Sequence, residues 1–256
     1  MGNEKYFDEN IVYYDKYRPT YGKEIYNDII TYAGINKKSR ILEIGCGPGN
    51  ATLPFLKTGA DLTAVEIGEN LATFVKNKFA NEKNFHIVNL PFEEFITDKK
   101  YDLIFSATAF HWINSDYAYR HCLSMLEKGG ALAIFWNTPV ISDKNSELKK
   151  RIADLYNIHL PDGSWERLTE DWYQKRCYDR NKSFELYGYS DIQLKLYYDY
   201  RTFTTVEYIK LLHTYSNHMA MPEDKRKEFF SKIFDAISDY GLIEIKDTID
   251  LYMGRK

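Results

Sequence analysis

The stretch Ile41-Leu-Glu-Ile-Gly-Cys-Gly-Pro-Gly-Asn50 decides the fold. Its apolar first half predicts a short strand over residues 40–44, and its glycines allow positive φ values and a close approach of backbone amides to a ligand. The residues up to Gly59 have a helical pattern, and a helix N-terminus favours an anionic group. The stretch therefore predicts a strand, a ligand-binding loop and a helix, with a simple tight turn as the alternative.

The glycine spacing separates this loop from two phosphate-binding loops. The dinucleotide fingerprint G-x-G-x-x-G needs its third glycine at position 50, where the chain has Asn50. A P-loop closes with Gly-Lys-Ser/Thr, which the segment lacks. The observed pattern is G-x-G-x-G with an acid, Glu43, two residues before it. It matches neither phosphate-binding pattern.

Strands and helices alternate along the chain beyond the loop. Strands are predicted over 61–65, 85–88, 101–106 and 131–136, and helices over 70–79 and 117–126. Such alternation indicates an α/β fold with a parallel sheet and right-handed crossovers. After Asn137 two more strands are predicted, over 192–203 and 243–253, with helical excursions over 143–178 and 204–240 that we expect to form a cap over the carboxyl edge.

Composition points to a small-molecule partner. The chain has 256 residues, 44% of them hydrophobic, and a net charge of −3 with interleaved acids and bases. This balance argues against nucleic acid as a partner. The longest apolar stretch, residues 130–136, is too short to span a bilayer, and we expect no signal peptide because no apolar run follows the first residues. Three cysteines without zinc-ligand spacing predict no metal site and a reducing compartment, so we expect a cytoplasmic protein.

Four segments together resemble class I S-adenosylmethionine (SAM)-dependent methyltransferases. The glycine loop resembles their motif I, and Glu66 ends the second strand, where the family's acid accepts hydrogen bonds from both ribose hydroxyls. Ser106-Ala-Thr-Ala-Phe-His111-Trp112 is similar to the family's FHW segment. Leu126-Glu-Lys-Gly-Gly-Ala-Leu132 is similar to the motif before its fifth strand. The spacing of the loop suits this family rather than NAD-binding or ATP-binding proteins.

The N-terminus resembles one branch of that family. Phe7-Asp8 and Tyr14-Asp-Lys-Tyr-Arg-Pro-Thr-Tyr21 are similar to the signature of trans-aconitate methyltransferase-like (type 11) enzymes, although Gly22 stands where the signature has proline. Residues 203–208 and the last strand are similar to the same branch. The resemblance implies a Rossmann-like, seven-stranded, mostly parallel sheet with helices on both faces. It also implies an N-terminal lid and first helix over 1–38, a SAM-binding core over 39–137, and the remaining strands with the helical cap over 138–256.

The resemblance implies a set of SAM-binding residues. Ile67 would pack on the adenine, Arg18 would pair with the cofactor's carboxylate, and Glu43 either acts near its ammonium or stiffens the loop. Cys46 is expected to be a small buried side chain. The implied set comprises Tyr14, Tyr17, Arg18, Glu43, Gly45, Cys46, Gly47, Gly49, Glu66, Ile67, Asn89, Phe92, Glu93 and Ala107.

The acceptor side is less defined. His111 and Trp112 are the candidate substrate residues, with His111 as a positioning donor, a general base or a packing side chain. The resemblance implies a carboxylate acceptor, which is ionised at neutral pH and needs no base. Candidate cations for an acidic substrate are Arg151, Arg167, Arg176, Arg180 and Arg201. The alternatives are an NAD(P)-dependent oxidoreductase and a non-catalytic SAM-binding protein, and either a monomer or a homodimer is expected.

Overall fold

The structure is a computed structural model that describes residues 13, 16–18, 20–160 and 170–256, without the side chains of 170–172. The strands are β1 (Arg40–Ile44), β2 (Asp61–Glu66), β3 (Phe85–Asn89), β4 (Tyr101–Ala107), β5 (Leu126–Ile141), β6 (Ser190–Thr204) and β7 (Leu242–Arg255). The helices are α1 (Lys23–Ala33), α2 (Thr52–Leu56), α3 (Glu69–Lys78), α4 (Ser115–Met125), α5 (Ser146–His159), α6 (Glu170–Leu186), α7 (Thr205–Leu212), α8 (Ser216–Met219) and α9 (Glu223–Ser238). Short 3-10 turns cover Phe92–Glu94, Phe110–Trp112 and Asp143–Asn145.

The seven strands form one sheet in the order β3-β2-β1-β4-β5-β7-β6. The neighbours from β3 to β5 are parallel. The strand order reverses between β1 and β4, and ligands of such sheets bind beyond the carboxyl ends of the strands at this switch point. The register sets Ile44 beside Val65 and Glu66 beside Asn89, so the ends of β1, β2 and β3 lie at one edge.

The last strand, β7, runs antiparallel to its neighbour β5. The Gly129 amide at the start of β5 donates to Lys256 O at 3.3 Å, and the Ser142 amide just after β5 donates to Glu244 O near the start of β7 at 2.9 Å. One end of β5 therefore meets the opposite end of β7, which makes the pair antiparallel. The predicted mostly parallel, seven-stranded sheet is confirmed.

The chain divides into two compact units. The first unit comprises Pro19–Asn137, Tyr178–Tyr197 and Ile249–Lys256, and the second comprises Met1–Arg18, Thr138–Cys177 and Tyr198–Thr248. Both the predicted segment 1–38 and the predicted segment 138–256 are thus shared between the units. The second unit has its own core, in which Ile152, Phe229 and Ile233 are fully buried.

The core of the first unit sets helices against the sheet beneath the glycine loop. Phe55 of α2 is fully buried, with its ring centroid 4.2 Å from that of Phe105 on β4. Tyr26 of α1 packs edge-on against Phe55 at 5.6 Å. These large aromatic side chains bury apolar area on both sides of α2 and anchor the helix that follows the loop.

β5 begins earlier than expected. The prediction gave a helix to 126 and a strand from 131, but α4 ends at Met125 and β5 starts at Leu126. The glycine pair therefore lies within the strand, at a register shift opposite Tyr101. Gly129 has a φ of 78°, and a Cβ on Gly130 would lie 2.9 Å from Tyr101 O. The glycines are needed because the strand bulges there.

The helical excursion predicted over 143–178 contains α5 and extends through α6 to Leu186. Its middle, with Trp165 and Arg167, lies outside the described residues. α7 begins at a capping box, in which the Thr204 side chain accepts from the Glu207 amide and Glu207 bonds back to Thr204. In the described part of the chain, no helix combines the length and apolar character needed to cross a membrane.

Candidate functional site

The three glycines of the loop have different structural roles. Gly45, Gly47 and Gly49 have φ values of 67°, 54° and 80°. A Cβ on Gly45 would lie 2.6 Å from Ala109 Cβ, and one on Gly49 would lie 2.6 Å from the Phe79 ring. A Cβ on Gly47 would have no described atom within 4 Å. Gly45 and Gly49 therefore permit close packing of the loop, whereas Gly47 borders open space.

Glu66 joins the glycine loop to the end of β2. Its carboxylate is 5% exposed, and it accepts the Gly47 amide at 2.8 Å on Oε2 and the Gly68 amide at 2.9 Å on Oε1. These bonds fix the carboxylate at the strand end. A carboxylate has about four acceptor positions, so holding two amides is compatible with also accepting a ligand's hydroxyls.

Apolar and amide groups lie beside Glu66. Ile67 is 54% exposed, so its apolar side chain is accessible to a ligand beside Glu66. Asn89 donates its amide to Glu66 O at 2.8 Å and to Ile67 O at 3.2 Å. Asn89 thereby holds the backbone that presents both residues.

Glu43 is the second acid at this edge of the sheet, and its surroundings differ from those of Glu66. It is 1% exposed, and its carboxyl accepts the Thr52 hydroxyl at 2.7 Å. Burial raises its pKa to about 8, the charge of Glu66 adds to the rise, and the Thr52 bond opposes it. The contact with α2 supports the interpretation that Glu43 stiffens the loop. Next to it, burial raises the pKa of the Cys46 thiol, which is enclosed in the core.

A strained residue follows the end of β4. Thr108, directly after Ala107, has a φ of 55°, a rare conformation for a β-branched residue. Its hydroxyl lies 2.8 Å from the Tyr21 hydroxyl, and its amide donates to Phe135 O at 2.8 Å. Tyr21, the last residue of the N-terminal signature, therefore lies at the end of β4. Sequence reasoning missed Thr108, whose only signal is its position after a strand.

His111 and Trp136 form a directed hydrogen bond. The Trp136 indole N–H donates to His111 Nδ1 at 3.0 Å. Since an indole nitrogen can only donate, Nδ1 must be an acceptor, and the neutral imidazole carries its proton on Nε2. Trp136 is 6% exposed, whereas His111 and its neighbour Trp112 are exposed at the surface of the first unit. The bond fixes the tautomer of an exposed histidine.

The other predicted cofactor residues have varied positions. Phe92 is buried and packs edge-on against His121, with centroids 5.3 Å apart. Glu93 is exposed, and its carbonyl accepts the Tyr117 hydroxyl at 3.0 Å. Their predicted role in cofactor binding stays a prediction.

The N-terminal residues Tyr17 and Arg18 belong to the second unit. Tyr17 is buried there, and its carbonyl accepts from Arg201. Arg18 donates to the hydroxyl and carbonyl of Thr214 at 2.9 and 2.6 Å. Their predicted contacts with the cofactor stay predictions, and Tyr14 lies outside the described residues.

The candidate substrate cations have protein partners. Arg180 pairs with Asp250 at 2.5 Å and Arg151 pairs with Asp239 at 2.7 Å. The other described cations are also engaged: Arg201 with Asp247, and Arg176 with the Thr138 hydroxyl at 2.7 Å. Arg167 lies outside the described residues.

The residues at the ends of β1 and β2 fit SAM. Glu66 offers a fixed carboxylate suited to a ribose diol, Ile67 offers an exposed apolar side chain beside it, and Gly47 borders open space where a ligand can approach the backbone. The fold, the loop and the acid are those expected of a class I SAM-dependent methyltransferase. The loop lacks the third glycine of the dinucleotide fingerprint, which argues against the NAD(P)-dependent alternative.

Comparisons with known proteins support a SAM-dependent methyltransferase. Residues 42–134 match the family model described as Methyltransferase domain. An uncharacterized methyltransferase of Schizosaccharomyces pombe is 21% identical over 95% of this chain and 92% of its own length. Malonyl-[acyl-carrier protein] O-methyltransferase 1 of Ilyobacter polytropus is 32% identical over 39% of this chain and 38% of its own. A structure from Anaeromyxobacter dehalogenans described as a type II methyltransferase is 16% identical, with a TM-score of 0.65 over 93% of this chain and 97% of that one.

Proposed function

We propose that the chain methylates the carboxylate of a small-molecule acid, with His111 orienting the acceptor as a hydrogen-bond donor. The observation that carries this proposal is the hydrogen bond from the Trp136 indole to His111 Nδ1 at 3.0 Å. SAM, when bound, supplies a methyl group already activated as a sulfonium. The protein then has to hold the acceptor in line, and orientation of this kind contributes up to about 7–11 kcal/mol in favourable reactions.

The tautomer of His111 argues against base chemistry. A general base needs an available lone pair, and in the neutral imidazole that lone pair is on Nδ1, which accepts the Trp136 N–H. The protonated nitrogen, Nε2, is a donor. An alcohol or amine acceptor would have to lose a proton, whereas a carboxylate is ionised at neutral pH and presents oxygens that accept such a donor. His111 therefore suits a carboxylate.

Resemblances support the same acceptor class. The N-terminal signature from Tyr14 to Tyr21 resembles that of trans-aconitate methyltransferase-like enzymes. The Ilyobacter polytropus relative is named as an O-methyltransferase, although it aligns over only 103 residues. We further propose that Glu66 accepts the ribose hydroxyls and that Ile67 packs on the adenine, with Asn89 fixing the backbone of both.

The test is release of S-adenosylhomocysteine from SAM over a panel of small carboxylic acids, amines and phenols. We expect turnover with acids alone. His111→Gln keeps an N–H donor near the position of Nε2, whereas His111→Phe keeps a ring without one. Loss of one hydrogen bond to a charged acceptor costs about 1.5–3 kcal/mol, so kcat/KM should fall about tenfold to a hundredfold in the phenylalanine variant and much less in the glutamine variant.

Two results would refute the proposal. Turnover of amines or phenols but not of acids would refute the assignment of a carboxylate acceptor. Equal loss in both His111 variants would contradict the donor role. SAM binding by calorimetry is the control, because His111 is not proposed to bind the donor; tight binding without release from any acceptor would instead favour a non-catalytic SAM-binding protein.

A further inference from the structure

Arg180 lies against the indole that bonds His111. Its guanidinium carbon is 3.4 Å from the Trp136 ring centroid, within the range of a close cation–π contact. Its NH1 donates to Asp250 Oδ2 at 2.5 Å. The sequence suggested Arg180 as a cation for an acidic substrate, but this guanidinium is stacked on one side and ion-paired on the other.

Asp250 holds Arg180 from within the core of the first unit. Its carboxylate is fully buried, and the buried Tyr252 hydroxyl donates to the same Oδ2 at 2.9 Å. A buried carboxylate is tolerated because a cation and a hydrogen-bond donor compensate its charge. The Tyr252 ring also packs edge-on against Trp136 at 6.0 Å. The guanidinium is therefore held in place by groups that cannot reach solvent.

This arrangement acts on His111 through Trp136. A cation on the face of an indole is attracted by the negative potential of the ring and polarises its electrons. Because linked polar contacts polarise one another, the indole N–H becomes a stronger hydrogen-bond donor. The stacking also fixes the plane of the ring and hence the direction of its N–H. Both effects favour the bond to Nδ1 that keeps the His111 proton on Nε2.

We propose that Arg180, anchored by Asp250, is a positioning residue of the acceptor site that clamps Trp136 and thereby sets the tautomer of His111. The chain of contacts runs from Asp250 to Arg180, then to Trp136 and His111. Its consequence for turnover rests on the proposed carboxylate acceptor. Its consequence for the tautomer does not, so the two can fail separately.

The test is the nitrogen spectrum of the intact protein labelled with 15N-histidine, at a pH where His111 is neutral. The His111 signals are assigned by their loss in His111→Gln. In the wild type we expect one protonated and one unprotonated nitrogen, with the proton on Nε2. In Trp136→Phe, which keeps a ring but removes the N–H, the two nitrogens should shift towards each other as the tautomers mix.

Arg180→Met should move the same signals in the same direction, because the indole loses its clamp. Because this variant leaves Asp250 buried without its cation, Arg180→Met/Asp250→Asn removes both charges and keeps the test available if the single variant fails to fold. Lys182→Met on the same helix is the matched control, since Lys182 pairs with the exposed Glu185 at 2.7 Å. It should leave the signals unchanged.

Unchanged His111 signals in a folded Arg180 variant, single or double, would overturn the proposal. The kinetic readout should follow the spectrum: about a tenfold loss in kcat/KM for the acid acceptor, with SAM affinity retained. A shifted tautomer without loss of turnover would leave the positioning role standing and contradict the proposed use of His111. Loss of turnover with the wild-type tautomer would show that Arg180 acts otherwise and refute the inference.

Discussion

Glu43→Gln should make the stability of the folded protein less sensitive to rising pH. The Glu43 carboxyl is 1% exposed and bonds only a neutral hydroxyl, that of Thr52, among the contacts described for it. Its pKa rises from 4.5 to about 8 in the folded protein because burial disfavours the charged form. Glutamine keeps the shape and the carbonyl acceptor but cannot ionise.

The sign and size of the effect follow from proton linkage. A folded-state pKa above the unfolded one means that the folded protein holds the proton more tightly, so the associated stability is fully present below about 4.5 and is lost as the pH rises to about 8. Each pH unit between these limits removes about 1.4 kcal/mol. From pH 5 to pH 7.5 the wild type should therefore lose about 3 kcal/mol that the glutamine variant does not lose.

The assay is urea unfolding of both proteins at several pH values without SAM, comparing their free energies of unfolding. All other titrating groups contribute equally to the two proteins, so the difference between them isolates Glu43. Glu69→Gln, at an exposed position on α3, is the control and should show no such divergence. A difference that stays constant from pH 5 to pH 7.5 would show that Glu43 is ionised in the fold and refute the reasoning.

Three further predictions concern the site and the second unit. Glu66→Ala should weaken SAM binding at least several-fold in calorimetry with the sheet intact by circular dichroism; unchanged affinity would remove the ribose assignment. Gly49→Ala should cost about 2 kcal/mol of stability, since its Cβ would lie 2.6 Å from Phe79, whereas Gly47→Ala should chiefly weaken SAM binding; equal losses of stability would contradict this division. Burial lowers the pKa of His218 to about 4 from 6.5, so stability should fall as the pH drops through this range, by about 3 kcal/mol in total, and a His218→Phe variant with an unchanged acid profile would contradict it.

Periodicity alone located the sheet. All seven strands lie at predicted positions, and the central strands β1, β2 and β4 are apolar runs because their side chains are almost all buried. β5 shows the limit of this method. Its first residues, Leu126-Glu-Lys-Gly-Gly130, contain polar and glycine residues that predict a turn, yet they are paired with neighbouring strands. The start of β5 is determined by its pairing with strands that are distant in sequence, and a local sequence pattern carries no information about that pairing.

The residues proposed to bind the donor are easier to identify from sequence than those proposed for the acceptor, and the reason is physical. Glycine spacing and a strand-end acid are local features, and parallel pairing brings the ends of β1 and β2 together automatically. The tautomer of His111 depends on Trp136, and the orientation of Trp136 depends on Arg180 and Asp250. These residues come from four separate parts of the chain, so no spacing rule connects them.

The two acids at the edge of the sheet differ in the hydrogen-bond donors that they receive, and this difference indicates different roles. Glu66 ends β2, Glu43 is the penultimate residue of the neighbouring β1, and both are almost fully buried. Glu66 accepts two backbone amides that the turns at Gly47 and Gly68 direct towards it, whereas Glu43 accepts one hydroxyl from α2. Amides aimed at a carboxylate are what an acceptor of ligand hydroxyls requires to stay fixed in place. Glu43, which accepts no such amide among its described contacts, contributes to the packing of the loop. We therefore expect the pH dependence of stability to depend on Glu43 and the affinity for SAM to depend on Glu66.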